Sequence, residues 1–322
     1  MILRGLLLVL ALVAGGLLLY SEWLGAAVAR RFPVQGRFVA VTGGQLHYRE
    51  QVPSGDSRGT VVLIHGASSD HADLLATLGP ELSHYRLIAI DRPGHGWSER
   101  LEGSAMADPA RQAEILMQAL DKLAPERFVL VAHSLGGASA TRIALERPDR
   151  LRGLVLLGAV THPWPGGIAW YHHAATAPVI GPLFTRLIAV PLASRLLEAG
   201  AASVFAPKPV TPGYLDTGHI PLLLRAATFQ ANSEDIAATL AFVSAQAPRY
   251  RSLAVPVVAI TGDSDSIVSP VIHSMAIARE APQGRLVLLP GVGHMPHHAA
   301  PEIVAEAIDA MTGARSDLAQ AQ

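Results

Sequence analysis

Residues 127–137 read Arg-Phe-Val-Leu-Val-Ala-His-Ser-Leu-Gly-Gly, and this stretch decides the fold. Phe128-Val129-Leu130-Val131 is apolar at every position, the pattern of a short strand buried on both faces. It breaks at Ala132-His133-Ser134-Leu135-Gly136-Gly137, and residues 135–146 are compatible with a helix. A serine on a sharp turn between strand and helix holds its Oγ clear of the sheet, with the positive end of the helix dipole beneath it. Small residues two before and two after suit such a turn, because its neighbours pack close. Ser134 is therefore the candidate nucleophile. Ala132 exceeds the strict Gly-x-Ser-x-Gly pattern by one methyl group. A strict match lies at Gly55-Asp56-Ser57-Arg58-Gly59, but no apolar strand precedes it and a strand rather than a helix follows.

Working outward, apolar strand runs alternate with helical stretches. Strands are expected at 60–64, 86–90, 128–131, 151–157, 255–260 and 285–289. Helices are expected around 72–82, 109–123, 135–146, 270–280 and 301–311. Such alternation implies an α/β fold, a mostly parallel sheet with helices on both faces. Residues 37–41 and 45–49 flank Thr42-Gly43-Gly44 and read as a hairpin that adds antiparallel strands at one edge. Residues 161–250 break the alternation. They hold ten of the 23 prolines, few charges, and several aromatics and histidines, which suggests a helical cap inserted late in the sheet. The expected division is a hydrophobic segment at 1–29, core at 30–160 opening with a linker at 30–37, cap at 161–250, second core part at 251–315, and a disordered Ala/Gln-rich tail at 316–322.

Composition narrows the function classes. Half of the 322 residues are hydrophobic and 16% are charged, with a formal net charge of −1. No basic stripe suggests nucleic acid, and the absence of cysteine removes disulfides and thiolate-bound metals. The first residues are less neutral in meaning. From Gly5 to Tyr20 there are sixteen uncharged residues, extended by Ile2 and Leu3 if Arg4 snorkels, with Trp23-Leu24 suited to the far interface. The favoured reading is an uncleaved membrane anchor. The rivals are a signal cleaved at Ala27-Val28-Ala29, giving a periplasmic or secreted protein, and a buried helix of a soluble fold. Arg4 on one side and Arg30, Arg31 and Arg37 on the other leave the orientation open.

A serine hydroxyl needs a base, and the base needs an orienting acid. On parallel sheets such groups gather at the carboxyl ends of strands. His294 follows the strand at 285–289 in the glycine-rich loop Pro290-Gly291-Val292-Gly293-His294. Thr261-Gly262-Asp263-Ser264-Asp265 follows the strand at 255–260. The order Ser134, Asp265, His294 is that of successive strand ends in this kind of sheet. An oxyanion needs donors already in place, and the N–H groups of Leu135 and Ala67 are the candidates, the latter in His65-Gly66-Ala67 after the first core strand.

Taken together, His65-Gly66, Asp91-Arg92-Pro93-Gly94-His95-Gly96-Trp97-Ser98, Ala132–Gly137, Gly262–Val268 and Gly293-His294 resemble the α/β-hydrolase fold superfamily, in its capped serine-hydrolase branch. The resemblance spans roughly residues 38–311. It implies that the acid lies in Gly-x-x-Asp-x-x-Val, which selects Asp265 over Asp263. It also sets this chain apart from dehalogenases and epoxide hydrolases of the fold, which carry an aspartate where Ser134 stands.

The resulting expectation is a membrane-tethered serine hydrolase, without cofactor or metal, acting on a small-molecule ester, thioester or lactone with an apolar acyl part. Carbon–carbon bond hydrolysis or cofactor-free haloperoxidase chemistry on the same triad is the first alternative. A membrane-anchored accessory or binding protein without turnover is the second. His65, His95 and Asp91 are expected to hold turns beside the site, and His133 to pack beneath the elbow. The pairs His172-His173 and His297-His298 are not read as metal ligands, since adjacent side chains diverge and no carboxylate stands at ligand spacing. Trp164, Trp170 and Tyr171 either line an acyl pocket or form the cap's own core.

Overall fold

The computed structural model describes residues 2–313, so the tail expected at 316–322 lies outside the described residues. A single helix, α1 (Ile2–Arg31), leads into a hairpin of β1 (Arg37–Val41) and β2 (Gly44–Gln51) around a two-residue turn. The core then alternates β3 (Thr60–Ile64), α2 (His71–Leu78), β4 (Arg86–Ile90), α3 (Pro109–Leu123), β5 (Phe128–His133), α4 (Gly136–Glu146) and β6 (Leu151–Leu157). Between β6 and β7 (Val257–Gly262) lie α5 (Trp170–Thr176), α6 (Ile180–Phe184), α7 (Val190–Phe205), α8 (Tyr214–Thr217) and α9 (Ala226–Gln246). After β7 come α10 (Ser274–Glu280), β8 (Gly284–Leu289), α11 (Pro296–Ala299) and α12 (Pro301–Thr312).

The eight strands form one sheet in the order β1-β2-β4-β3-β5-β6-β7-β8, antiparallel only where β2 joins β1 and β4. The sheet is covered on both faces, and the strand pattern shows why. Phe128, Leu130 and Ala132 of β5 pack with α3 and α4, while Val129 and Val131 face α2 and α12. A strand with a layer on each side must be apolar at every position. β7 begins two residues later than the sequence suggests, because Pro256 has no N–H to give to the ladder.

The order also fixes where a site can form. From β3 the chain moves to β4 on one side, and β5 pairs with the other side of β3. The loops after β3 and β5 therefore part at their carboxyl ends and leave a crevice. Ser134 stands at the end of β5, and His65-Gly66-Ala67 at the end of β3.

One boundary differs from the expectation. The linker placed at 30–37, and the break placed at residue 29, fall within or against a continuous helix, since α1 runs to Arg31. Its last third packs on the helices between β6 and β7. Val28 and Phe32 join Ala175, Val190, Leu222, Leu224 and Phe229 in one buried cluster. Burying a Val or Phe side chain stabilises by about 2 kcal/mol, so the helix has a reason to continue past the apolar run. Polar ties add direction: the Tyr20 hydroxyl lies 3.2 Å from Ser194 Oγ, Ser21 Oγ donates to the Arg186 carbonyl, and Arg186 pairs with Glu22 at 2.9 Å.

Candidate active site

Ser134 takes a left-handed backbone conformation, φ +49°, between the last residue of β5 and the first turn of α4. Its N–H donates to the Leu157 carbonyl at 3.0 Å, and its own carbonyl accepts from Gly137 and Val160, so the strained turn is held from both neighbours. Its Oγ lies 2.8 Å from His294 Nε2. His294 Nδ1 lies 2.8 Å from Asp265 Oδ2. The second carboxylate oxygen accepts the backbone N–H groups of Ile267 and Val268, each at 2.9 Å. These bonds set the tautomer: Nδ1–H donates to the carboxylate, and Nε2 is left to accept from the serine hydroxyl. All three side chains are buried.

Asp263, the other candidate acid, points elsewhere. Its Oδ1 accepts from the Gly291 N–H and from Ser264 Oγ, both at 2.8 Å, and it is exposed. Gly158 at the end of β6 has φ +49°, and a Cβ there would sit 3.3 Å from both Asp265 Oδ2 and His294 Nδ1. A glycine is thus needed beside the Asp265–His294 pair, which the sequence alone did not single out.

The loop after β3 approaches the serine closely: a Cβ on Gly66 would lie 2.8 Å from Ser134 Cβ. Ala67 lines the same cavity as Ser134 and His294. Among the described residues, neither the Ala67 nor the Leu135 N–H is taken by a protein acceptor. Ser68 next to Ala67 also has positive φ, and its N–H donates to Asn232 Oδ1 of α9 at 2.7 Å. The cap helix therefore sets the position of the loop that presents Ala67.

The supporting histidines are held neutral or charged by distinct causes. His65 Nδ1–H donates to the Gly66 carbonyl, and its Nε2 accepts the Arg92 N–H at 2.9 Å. Burial and the Arg92 guanidinium hold it, and His95, well below the ordinary histidine range. His133 Nε2–H donates to the His294 carbonyl at 3.1 Å, and burial keeps it neutral as well. Asp91 accepts from His47, from both the ring and the backbone of His71, and from the Trp97 N–H, at 2.7–2.8 Å. Burial opposes a charge on His71, yet the Asp91 carboxylate outweighs it and raises the ring to about 9.

A cavity of about 490 Å³ opens above Ser134. Apolar side chains of α6, α7 and α9 and of the π-helical segment Thr185–Ala189 that joins α6 to α7 make up most of its wall, and among the described residues lining it there is no Lys or Arg. Trp170 and Tyr171 lie on this wall. Trp164 does not. Its indole packs with Ala138, Val160, Val243 and Val268, and its N–H donates to the Gly167 carbonyl, so it closes a satellite core away from the cavity.

Asp73 of α2 also lines the cavity, unforeseen in the sequence. His297 and His298 both reach it through Nε2, at 3.2 and 2.8 Å. Their side chains converge on one carboxylate rather than diverging, because the short helix α11 packs across α2. Burial disfavours the Asp73 charge, but the two imidazoles prevail and hold its carboxyl far below the usual range. His47/His71/Asp91, Asp70/His71/His219 and Asp73/His297/His298 each bring three ligand atoms within 4.8 Å. In the first and third, direct hydrogen bonds at 2.7–3.2 Å account for the geometry without an ion. His172 instead meets Ser233 Oγ at 3.1 Å, apart from these groups.

Residues 59–301 match the family described as alpha/beta hydrolase fold. A pimeloyl-[acyl-carrier protein] methyl ester esterase of Nitrosomonas europaea is 26% identical over 266 residues, 78% of this chain and 94% of that protein. A 2-hydroxy-6-oxononadienedioate/2-hydroxy-6-oxononatrienedioate hydrolase of Paraburkholderia phymatum is 33% identical, but over only 36% of this chain and 41% of its own length. Among solved structures, one described as a membrane phospholipase A, a bacterial virulence factor, superposes with a TM-score of 0.66 at 22% identity, covering 97% of this chain and 98% of that one.

Proposed function

Because the chain belongs to the alpha/beta hydrolase fold family, we propose that it is a serine hydrolase of carboxylic esters, thioesters or lactones with an apolar acyl part, tethered to a membrane by α1. The observation that carries this reading is the hydrogen-bonded line Ser134–His294–Asp265 at the floor of an apolar cavity. In it, Ser134 Oγ attacks the acyl carbon while its proton passes to His294 Nε2. The carbonyl oxygen takes the electron pair and is met by the unclaimed N–H groups of Ala67 and Leu135. Collapse of this intermediate expels the alcohol, thiol or ring oxygen, which leaves with the proton from His294. Water then gives a proton to His294 and its oxygen to the acyl carbon, and the acid departs as Ser134 recovers its proton. Asp265 keeps the ring in the required tautomer and stabilises it when charged.

The esterase relative supports acyl-oxygen cleavage. The carbon–carbon hydrolase relative supports a second use of the same residues. Its name specifies a dicarboxylate, however, and a dianion calls for a cationic partner that the described cavity wall lacks, while Asp73 there adds a negative charge. Neutral apolar acyl groups fit this wall better.

The test is labelling of the purified full chain by a fluorophosphonate, alongside Ser134→Ala. Labelling that disappears in the variant is expected. A folded wild-type protein that labels neither with this probe nor with a smaller organophosphate sinks the reading and favours a binding role.

A further inference from the structure

The cavity mouth is rimmed by apolar side chains that solvent ought not to meet. Trp170 is 69% exposed, and Ile188, Leu192 and Leu196, spaced four apart on one helical face, are each about half exposed while also lining the cavity. The patch continues onto the tip before α6, where Val179 is 85% and Ile180 66% exposed, and on to Leu183. Val179 holds φ +64° with ψ −48°, outside the left-handed basin, a strained conformation that only glycine adopts readily. A contiguous apolar surface of this kind marks a site of contact.

What it contacts is indicated by α1. Its first part, Ile2 to Tyr20, is wholly or largely uncovered, carries one charge, and rises about 28 Å, close to the hydrocarbon thickness of a bilayer. Tyr20 and Trp23, whose rings stack at 6.0 Å, stand where the apolar run ends, the level at which such residues concentrate at a membrane interface. At that same level Tyr20 touches Ser194, which sits on α7 two residues from both Leu192 and Leu196. Ser21 and Glu22 hold Arg186, three residues beyond Leu183. The helix that enters the bilayer and the rim of the cavity are thus fastened together at the interface.

We infer that the exposed apolar face of residues 170–196 seats in the lipid leaflet around α1, so that the cavity opens to the acyl region and takes the fatty chain of a membrane-resident ester without its passing through water. The substrate class follows: an amphiphile whose chain lies in the leaflet and whose ester bond lies at headgroup depth. This rests on the hydrolase reading for turnover, but the seating itself does not.

The chain has no cysteine, so single introduced thiols report one position each. Full-length Ile180→Cys and Leu183→Cys, spin-labelled in lipid nanodiscs, are expected to be open to oxygen and shielded from a water-soluble nickel complex. Ser57→Cys, exposed at the opposite end of the sheet before β3, is expected to be open to nickel. Labels at 180 and 183 as open to nickel as the one at 57 overturn the proposal. In a second measurement, Ile180→Glu/Leu183→Glu, whose sites lie outside the cavity wall, is expected to lose about tenfold or more in hydrolysis of a long-chain ester embedded in vesicles. It should keep its rate on a water-soluble short-chain ester. Unchanged rates on both substrates overturn the proposal. Reading label exposure and fluorophosphonate reactivity on the same Ser134-bearing protein separates the readings: shielded labels in a protein that never reacts with fluorophosphonate defeat the hydrolase assignment alone, and exposed labels in an enzyme that reacts and turns over defeat the seating alone.

Discussion

Two aspartates stand two residues apart after β7, and their surroundings set their tasks. Asp265 spends one oxygen on His294 and the other on the N–H groups of Ile267 and Val268, which fixes the carboxylate plane. An amide in its place can keep the backbone contacts through its carbonyl oxygen but then turns its NH2 toward His294 Nδ1, forcing the wrong tautomer. Asp265→Asn is therefore expected to lower kcat on a soluble ester by about three to four orders of magnitude, with a small change in KM and a folded protein by circular dichroism. Asp263→Asn, which touches only Gly291 and Ser264, should stay near the wild-type rate. The reverse ranking would give the acid's task to Asp263. The convergence of Ser134, Asp265 and His294 was legible in the sequence because each follows a recognisable strand, and Val268 of the Gly-x-x-Asp-x-x-Val pattern donates its N–H to Asp265 Oδ1. Asp73 and Asn232 were not legible. Their partners lie more than 160 residues away, at His298 and Ser68, and no local pattern encodes such contacts.

At the scale of elements, strands read most faithfully because burial on two faces demands an unbroken apolar run. The bounds of β3, β4 and β6 coincide with the apolar runs in the sequence, whereas α2 stops at Leu78 and α10 starts only at Ser274. Helix ends and cap contacts depend on what packs against them, and Trp164 shows this: an aromatic residue after β6 reads alike whether it meets a ligand or a satellite core. α1 is the strongest case. Its amino-terminal part is legible from hydropathy, but its continuation through Ala27-Val28-Ala29 to Arg31 is a product of tertiary packing on Leu222, Leu224 and Phe229. A signal peptidase requires an extended segment, and Val28 is buried in a helix. Protein recovered from membranes is accordingly expected to retain residues 1–29, read by intact mass. A product beginning at Arg30 would show that the helix does not hold its place on the cap.

Across the whole molecule, ten of the fourteen histidines are buried, an unusual load for a chain of net charge −1. The shifts of seven of them oppose one another and together define a stability window. Burial keeps His65, His95, His133 and His297 below the ordinary value, and it brings His172 and His273 down to about 4. For these groups the unfolded chain binds protons first as pH falls below about 6.5, so stability is full above that value and drains away toward pH 4. His71 has the opposite sign. Its ring is raised to about 9 against Asp91, so its contribution is complete below about pH 6.5 and is lost as pH rises through 9, with a slope of at most about 1.4 kcal/mol per pH unit. Denaturant midpoints measured from pH 4 to 9, below the range in which the tyrosines of the unfolded chain give up their protons, should therefore peak near neutrality, with a steep acid limb carried by several histidines and a shallower alkaline limb carried by one. His71→Asn is expected to lower the peak, since it leaves Asp91 short of a charged donor, and to flatten the alkaline limb while leaving the acid limb in place. An alkaline limb that keeps its slope in the variant would show that some other group gives up its proton there, and that the His71–Asp91 pair does not link this fold to pH.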